Sequence, residues 1–100
     1  MELNISERAV SLYKQEMQLD TNDVLTLFVR VGGVGSGGFS AGITKGYPEV
    51  DYIKFHISDV IFCVAQDETW YFHGMSIDYD EDRQEVNFTN PNIKDVVNPK

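Results

Sequence analysis

Two hydrophobic periods run along the chain. Leu3 and Ile5 alternate with polar neighbours, which predicts a short leading strand. Ser6 follows as an N-cap, and Glu7 puts a negative charge in the first helical turn, where the helix dipole favours an anion. Ala9, Val10, Tyr13 and Met17 then form a helical apolar stripe, with Arg8, Lys14, Gln15 and Glu16 on the wet face. The polar cluster Asp20-Thr21-Asn22-Asp23 is expected to end that helix. Val24 to Val31 reads as a buried strand with Arg30 its only charge, broken by Gly32-Gly33-Val34-Gly35-Ser36-Gly37-Gly38. Phe39 to Thr44 resumes a strand that Gly46 and Pro48 stop. Tyr52 to Ile57 alternates loosely, Ser58-Asp59 makes a turn, and Ile61 to Ala65 is a second buried strand. Asp67-Glu68-Thr69 opens a short helix through Trp70 and Phe72, closed by Gly74. Met75 to Tyr79 and Glu85 to Phe88 alternate on either side of a polar hairpin turn at residues 80–84. One N-terminal helix on mostly antiparallel strands is an α+β arrangement, read as a single domain over residues 1–100.

Charge and composition narrow the function. Apolar residues make up 42% of the chain, which excludes intrinsic disorder. Sixteen Asp and Glu against eight Lys and Arg give a net charge of -8. That balance excludes a binder of phosphate backbones or of anionic membrane surfaces, both of which need clustered positive charge. No apolar run approaches the roughly eighteen residues that a membrane span requires. The first residues lack the basic start and apolar core of a secretory signal, so the expected compartment is the cytoplasm, with Cys63 reduced and the Asn4 and Asn87 sequons unused.

Three constellations carry candidate chemistry. Gly33-x-Gly35-x-x-Gly38 matches the dinucleotide fingerprint in spelling. That fingerprint works by aiming a helix N-terminus at the pyrophosphate, and Gly42, Gly46 and Pro48 prevent a helix from opening here. Lys45 lies outside Walker spacing. The loop reads either as a plain hairpin connection or as a segment whose missing Cβ atoms admit close approach of a ligand or partner. His56, Cys63 and His73 are the chain's only imidazoles and thiol, and the only candidates for a soft metal site. A cysteine inside an apolar run usually acts as a small hydrophobe, so no metal site is assigned. Asp78, Asp80, Glu81 and Asp82 lack the glycine bend of a calcium loop and read as a solvated hairpin tip.

The segments His73-Gly74-Met75-Ser76-Ile77-Asp78-Tyr79 and Phe88-Thr89-Asn90-Pro91-Asn92-Ile93-Lys94-Asp95 resemble the HesB-like family of A-type iron-sulfur carriers. The order of elements agrees along nearly the whole chain, and Ser36-Gly37-Gly38-Phe39-Ser40 stands where the family has Ser-Gly-Cys-Ser-Gly. The resemblance implies a HesB-like fold and a link to iron-sulfur biogenesis. It does not carry over the ligands. The family's loop cysteine is Gly38 here, and its two tail cysteines are Val97 and Pro99. Iron-sulfur clusters need soft thiolate donors, so no cofactor is predicted. The expected role is a non-ligating binding or accessory protein rather than an enzyme. Its partner is expected to be a protein or small ligand, of iron-sulfur assembly by the resemblance. The expected surface is the glycine loop and tail: Gly35, Gly37, Gly38, Phe39, Asn90 and Val97. The loop is expected to move in the free protein and to order on binding. The alternative is metal or cluster binding through a partner's ligands or non-family ones.

Overall fold

The computed structural model describes residues 1–31 and 39–91. In chain order the elements are β1 (Leu3–Ile5), α1 (Glu7–Glu16), β2 (Val24–Val31), β3 (Phe39–Lys45), β4 (Tyr52–Ile57), β5 (Val60–Ala65), a 3-10 turn (Gln66–Glu68), α2 (Thr69–Phe72), β6 (Met75–Asp80) and β7 (Glu85–Thr89). This is the α+β class the periodicity predicts.

Two sheets share one core. Antiparallel hairpins β2–β3 and β4–β5 join side by side through a parallel contact between β2 and β5, giving the order β3-β2-β5-β4. The other sheet has the order β1-β6-β7, with β1 parallel to β6. The two parallel pairings join segments far apart in sequence, so local pattern does not reveal them. Leu25 and Leu27 of β2, Val60, Phe62 and Val64 of β5, and Met75 and Ile77 of β6 meet Ala9, Val10 and Tyr13 of α1 in that core. Full burial of side chains this size contributes roughly 1.5–3 kcal/mol each. Burial also pushes the Tyr13 hydroxyl pKa up to about 12.

Helix α1 ends at Glu16, before the polar cluster that the pattern marks. The chain turns left-handed at Gln18, with φ of 54°, and the Leu19 amide bonds the Lys14 carbonyl at 2.9 Å. This closing turn satisfies a free helix carbonyl and tucks Leu19 into the core. Burial of Leu19 therefore outweighs three further residues of helix.

The start of α1 is fixed to the second sheet by one carboxylate. Ser6 Oγ accepts from the Ala9 amide at 3.1 Å, capping the helix, and donates to Asp78 Oδ1 at 2.6 Å. Arg8 Nη2 donates to Asp78 Oδ2 at 2.6 Å, and the Tyr79 amide donates to Oδ1 at 2.8 Å. The Ser6 hydroxyl first, and Arg8 after it, hold the Asp78 carboxyl below its ordinary value.

A lowered folded pKa means that Asp78 stabilises the fold above the unfolded carboxyl value of about 4. That contribution is lost as pH falls through the lower folded value. Asp59, held down by Lys14, acts in the same direction. In denaturant melts across acid pH, Asp78→Asn is expected to flatten, without abolishing, the loss of stability below about pH 4. An unchanged pH slope contradicts this. Ser6→Ala is expected to cost about 1 kcal/mol at neutral pH, as loss of an N-cap does.

Candidate functional site

Asn90 follows the last residue of β7 and is 5% exposed. Its side-chain amide donates to the Tyr71 carbonyl at 3.0 Å and to the His73 carbonyl at 2.9 Å. A helix leaves its last carbonyls without intrahelical donors. Tyr71 and His73 lie at the C-terminal end of α2, so Asn90 supplies what the helix lacks. The same corner is gripped from the N-terminus. Glu2 accepts from the Gly74 amide at 2.7 Å, and its own amide donates to His73 Nδ1 at 3.2 Å. Gly74 turns there with φ of 86°, where a side chain would be strained.

Phe39 opens β3, paired with Val31. Asn90 and Phe39 are the sequence-predicted binding residues within the described range; Gly35, Gly37, Gly38 and Val97 lie outside it.

The three soft-ligand candidates do not converge. Cys63 is fully buried in β5, opposite Lys54 of β4 and Thr26 of β2. Burial raises its thiol pKa, against a smaller lowering by the Lys54 charge. His56 pairs with Ile61 and is a diagonal neighbour of Cys63 on the same face, but it is exposed. His73 sits at the Glu2–Asn90 corner, on the way into the other sheet. Among the described residues, no three of His, Cys, Asp and Glu form a group able to hold a metal. A three-thiolate cluster does not fit this donor set, because the whole chain has one cysteine and that thiol is enclosed.

Two surface features were not singled out from the sequence. The first is an open groove of about 310 Å³ between α1 and the turn after β6. Arg8 lines it but is held by Asp78, and Glu7 and Glu81 make it acidic. The second is on β3. A Cβ built at Gly42 would lie 2.6 Å from Phe28 Cε2 and 2.8 Å from Arg30 Cδ. The Phe28 ring therefore occupies the space that a side chain at position 42 would take, with the Arg30 stem beside it. The sequence places Gly42 within a strand and marks it only as unfavourable to a helix, and cross-strand pairing with Phe28 makes it a seat for the ring.

Asn90→Ala is expected to destabilise the fold by about 1–3 kcal/mol, because two carbonyls lose a buried donor. Equilibrium unfolding measures this, and a loss well under 1 kcal/mol contradicts it. Cys63 is expected to label slowly with a thiol reagent until the protein unfolds, and Cys63→Ala to cost about 1 kcal/mol. Rapid native labelling contradicts the enclosed geometry.

No helix among the described residues is long and apolar enough to cross a membrane. The iron-sulphur cluster biosynthesis family matches residues 1–98. A pyruvate dehydrogenase inhibitor of Bacillus subtilis is 33% identical over 92 residues, covering 88% of this chain and 97% of that protein. An uncharacterized protein of Staphylococcus saprophyticus is 33% identical over 96 residues, with the same coverage of each. The match along almost the whole length agrees with the HesB-like resemblance of the segments around Asp78 and Asn90. The chain belongs to the iron-sulphur cluster biosynthesis family, as a cysteine-poor member.

Proposed function

We propose that this chain is a protein-binding member of its family that carries no cluster of its own, and that it restrains a pyruvate dehydrogenase by docking on it. The observation that carries the first part is the enclosed position of Cys63, the chain's one thiol, at the centre of β5. Cluster iron needs several accessible thiolates, and neither His56 nor His73 converges with Cys63 to replace them. The second part is supported by the Bacillus subtilis relative, named for inhibition of pyruvate dehydrogenase and aligned over nearly its full length. Binding is assigned to the glycine loop and the tail, the segments that Phe39 and Asn90 flank in the sequence. The place of action is the cytoplasm.

Two measurements test this. Anaerobic reconstitution with iron and sulfide, followed by desalting, is expected to leave protein without a thiolate-to-iron absorption band. Retained stoichiometric iron overturns the non-ligating reading, and metal-dependent dimerisation would point to thiols shared between chains. Added to a purified bacterial pyruvate dehydrogenase complex, the chain is expected to lower turnover in a saturable way. An unchanged rate at excess chain overturns the partner.

A further inference from the structure

The chain's charges are unevenly distributed. None of its sixteen Asp and Glu residues lies in β2, β3, β4 or β5. Three of its eight Lys and Arg do: Arg30, Lys45 and Lys54. Side chains alternate faces along a strand, and paired residues share one. The register pairs Arg30 with Ser40, Thr26 with both Thr44 and Cys63, Lys54 with Cys63, and His56 with Ile61. Arg30, Lys54 and His56 therefore lie on the face opposite the one that carries Leu25, Leu27, Phe62 and Val64 into the core.

On this outer face Arg30, Lys54 and His56 are exposed, while Phe28 and Tyr52 are half-buried. The ion pairs among the described residues are Arg8–Asp78, Lys14–Asp59 and Lys45–Asp23. None of them uses Arg30 or Lys54. At the rim of the sheet Asp23 and Asp59 are engaged by lysines, and Glu68 is turned onto the backbone of β2, where its Oε1 accepts from the Val29 amide at 2.7 Å; Glu49, Asp51 and Asp67 lie in the flanking connections. Among the described residues, this face of a chain of net charge -8 carries two cations outside those ion pairs and two aromatic rings, and no strand residue on it is acidic. Such a segregated patch attracts negative charge that the rest of the surface repels.

The spacing limits what fits. Arg30 and Lys54 are two strands apart and several residues offset, which sets their backbones roughly 15 Å apart. An extended peptide covers that span in about five residues. A nucleic acid needs a run of cations along its backbone, and its remaining phosphates would meet the acidic rest of the chain. We propose that this face docks a short acidic segment of a partner protein. Arg30 and Lys54 each take a carboxylate, the first able to bind it bidentately. Phe28, seated over Gly42, and Tyr52 supply the apolar contact between them. The proposal holds whichever partner carries the segment.

The test is a ¹⁵N amide titration of the full chain with a short synthetic peptide that has glutamate at each end and tyrosine and alanine between. Saturable shifts are expected at Phe28, Arg30, Ser40, Thr44 and Lys54. The double variant Arg30→Glu, Lys54→Glu is expected to weaken binding about tenfold or more. Both side chains are exposed, and the variant's own spectrum reports whether the fold is kept. The proposal is overturned by unchanged affinity in the variant, by equal binding of a lysine-ended peptide, or by shifts centred on the groove beside α1. Tighter binding of a single-stranded oligonucleotide at physiological salt, or occupation of the face by a second copy of the chain, also overturns it. The peptide reads the face without the dehydrogenase, so a failed dehydrogenase assay leaves this result interpretable.

Discussion

The carboxamide of Asn90 closes the corner on which the second sheet is built. Helix α2 is four residues long and ends with carbonyls that no further turn can satisfy. Asn90 reaches them from the end of β7, while Glu2 grips the same corner from ahead of β1. These are the outer strands of the sheet β1-β6-β7, and the corner feeds its central strand. One short α2 connection thus draws three remote segments together. The next link is Asp78, three residues beyond Met75, which ties that central strand to the cap of α1.

In this fold the joints are made by side-chain amides, hydroxyls and carboxylates on backbone groups. The HesB-like resemblance implies thiolate ligands at the positions of Gly38, Val97 and Pro99. None of these three residues supplies a thiolate. The core is closed by apolar side chains, with Phe62, Phe72, Met75 and Tyr71 fully buried. What remains for function is surface, and that surface is polarised. Acidic side chains lie on α1, on the β6–β7 hairpin and in the connections around the four-stranded sheet, while the strands β2 to β5 themselves carry none.

Elements governed by local period were legible in the sequence. The stripe of Ala9, Val10 and Tyr13, the apolar run of β5, and the alternation of Ile77 and Tyr79 each reported the face that is buried. Properties set by remote pairing were not. The early stop of α1 depends on Leu19 finding the core. The parallel contacts β1–β6 and β2–β5 join segments that share no turn. Gly42 reads only as a residue unfavourable to a helix until Phe28 is placed across it. Asn90 was legible only through the motif around it. The sequence pointed to binding, whereas the structure adds a buried amide holding two backbone carbonyls. The charge segregation was readable, since residues 24–31, 39–45, 52–57 and 60–65 contain no acid, but it gained meaning only once β2, β4 and β5 were known to lie side by side.

The account rests on the claim that this member of an iron-sulphur family folds and holds its shape without metal. Metal binding that belongs to a native site appears as folding free energy, so its removal lowers the unfolding temperature. The direct measurement is thermal unfolding of protein purified without oxygen from iron-replete cells, before and after exhaustive treatment with a chelator. The account predicts coincident unfolding curves. A midpoint that falls by several degrees on chelation, and returns when iron and sulfide are restored, would contradict it.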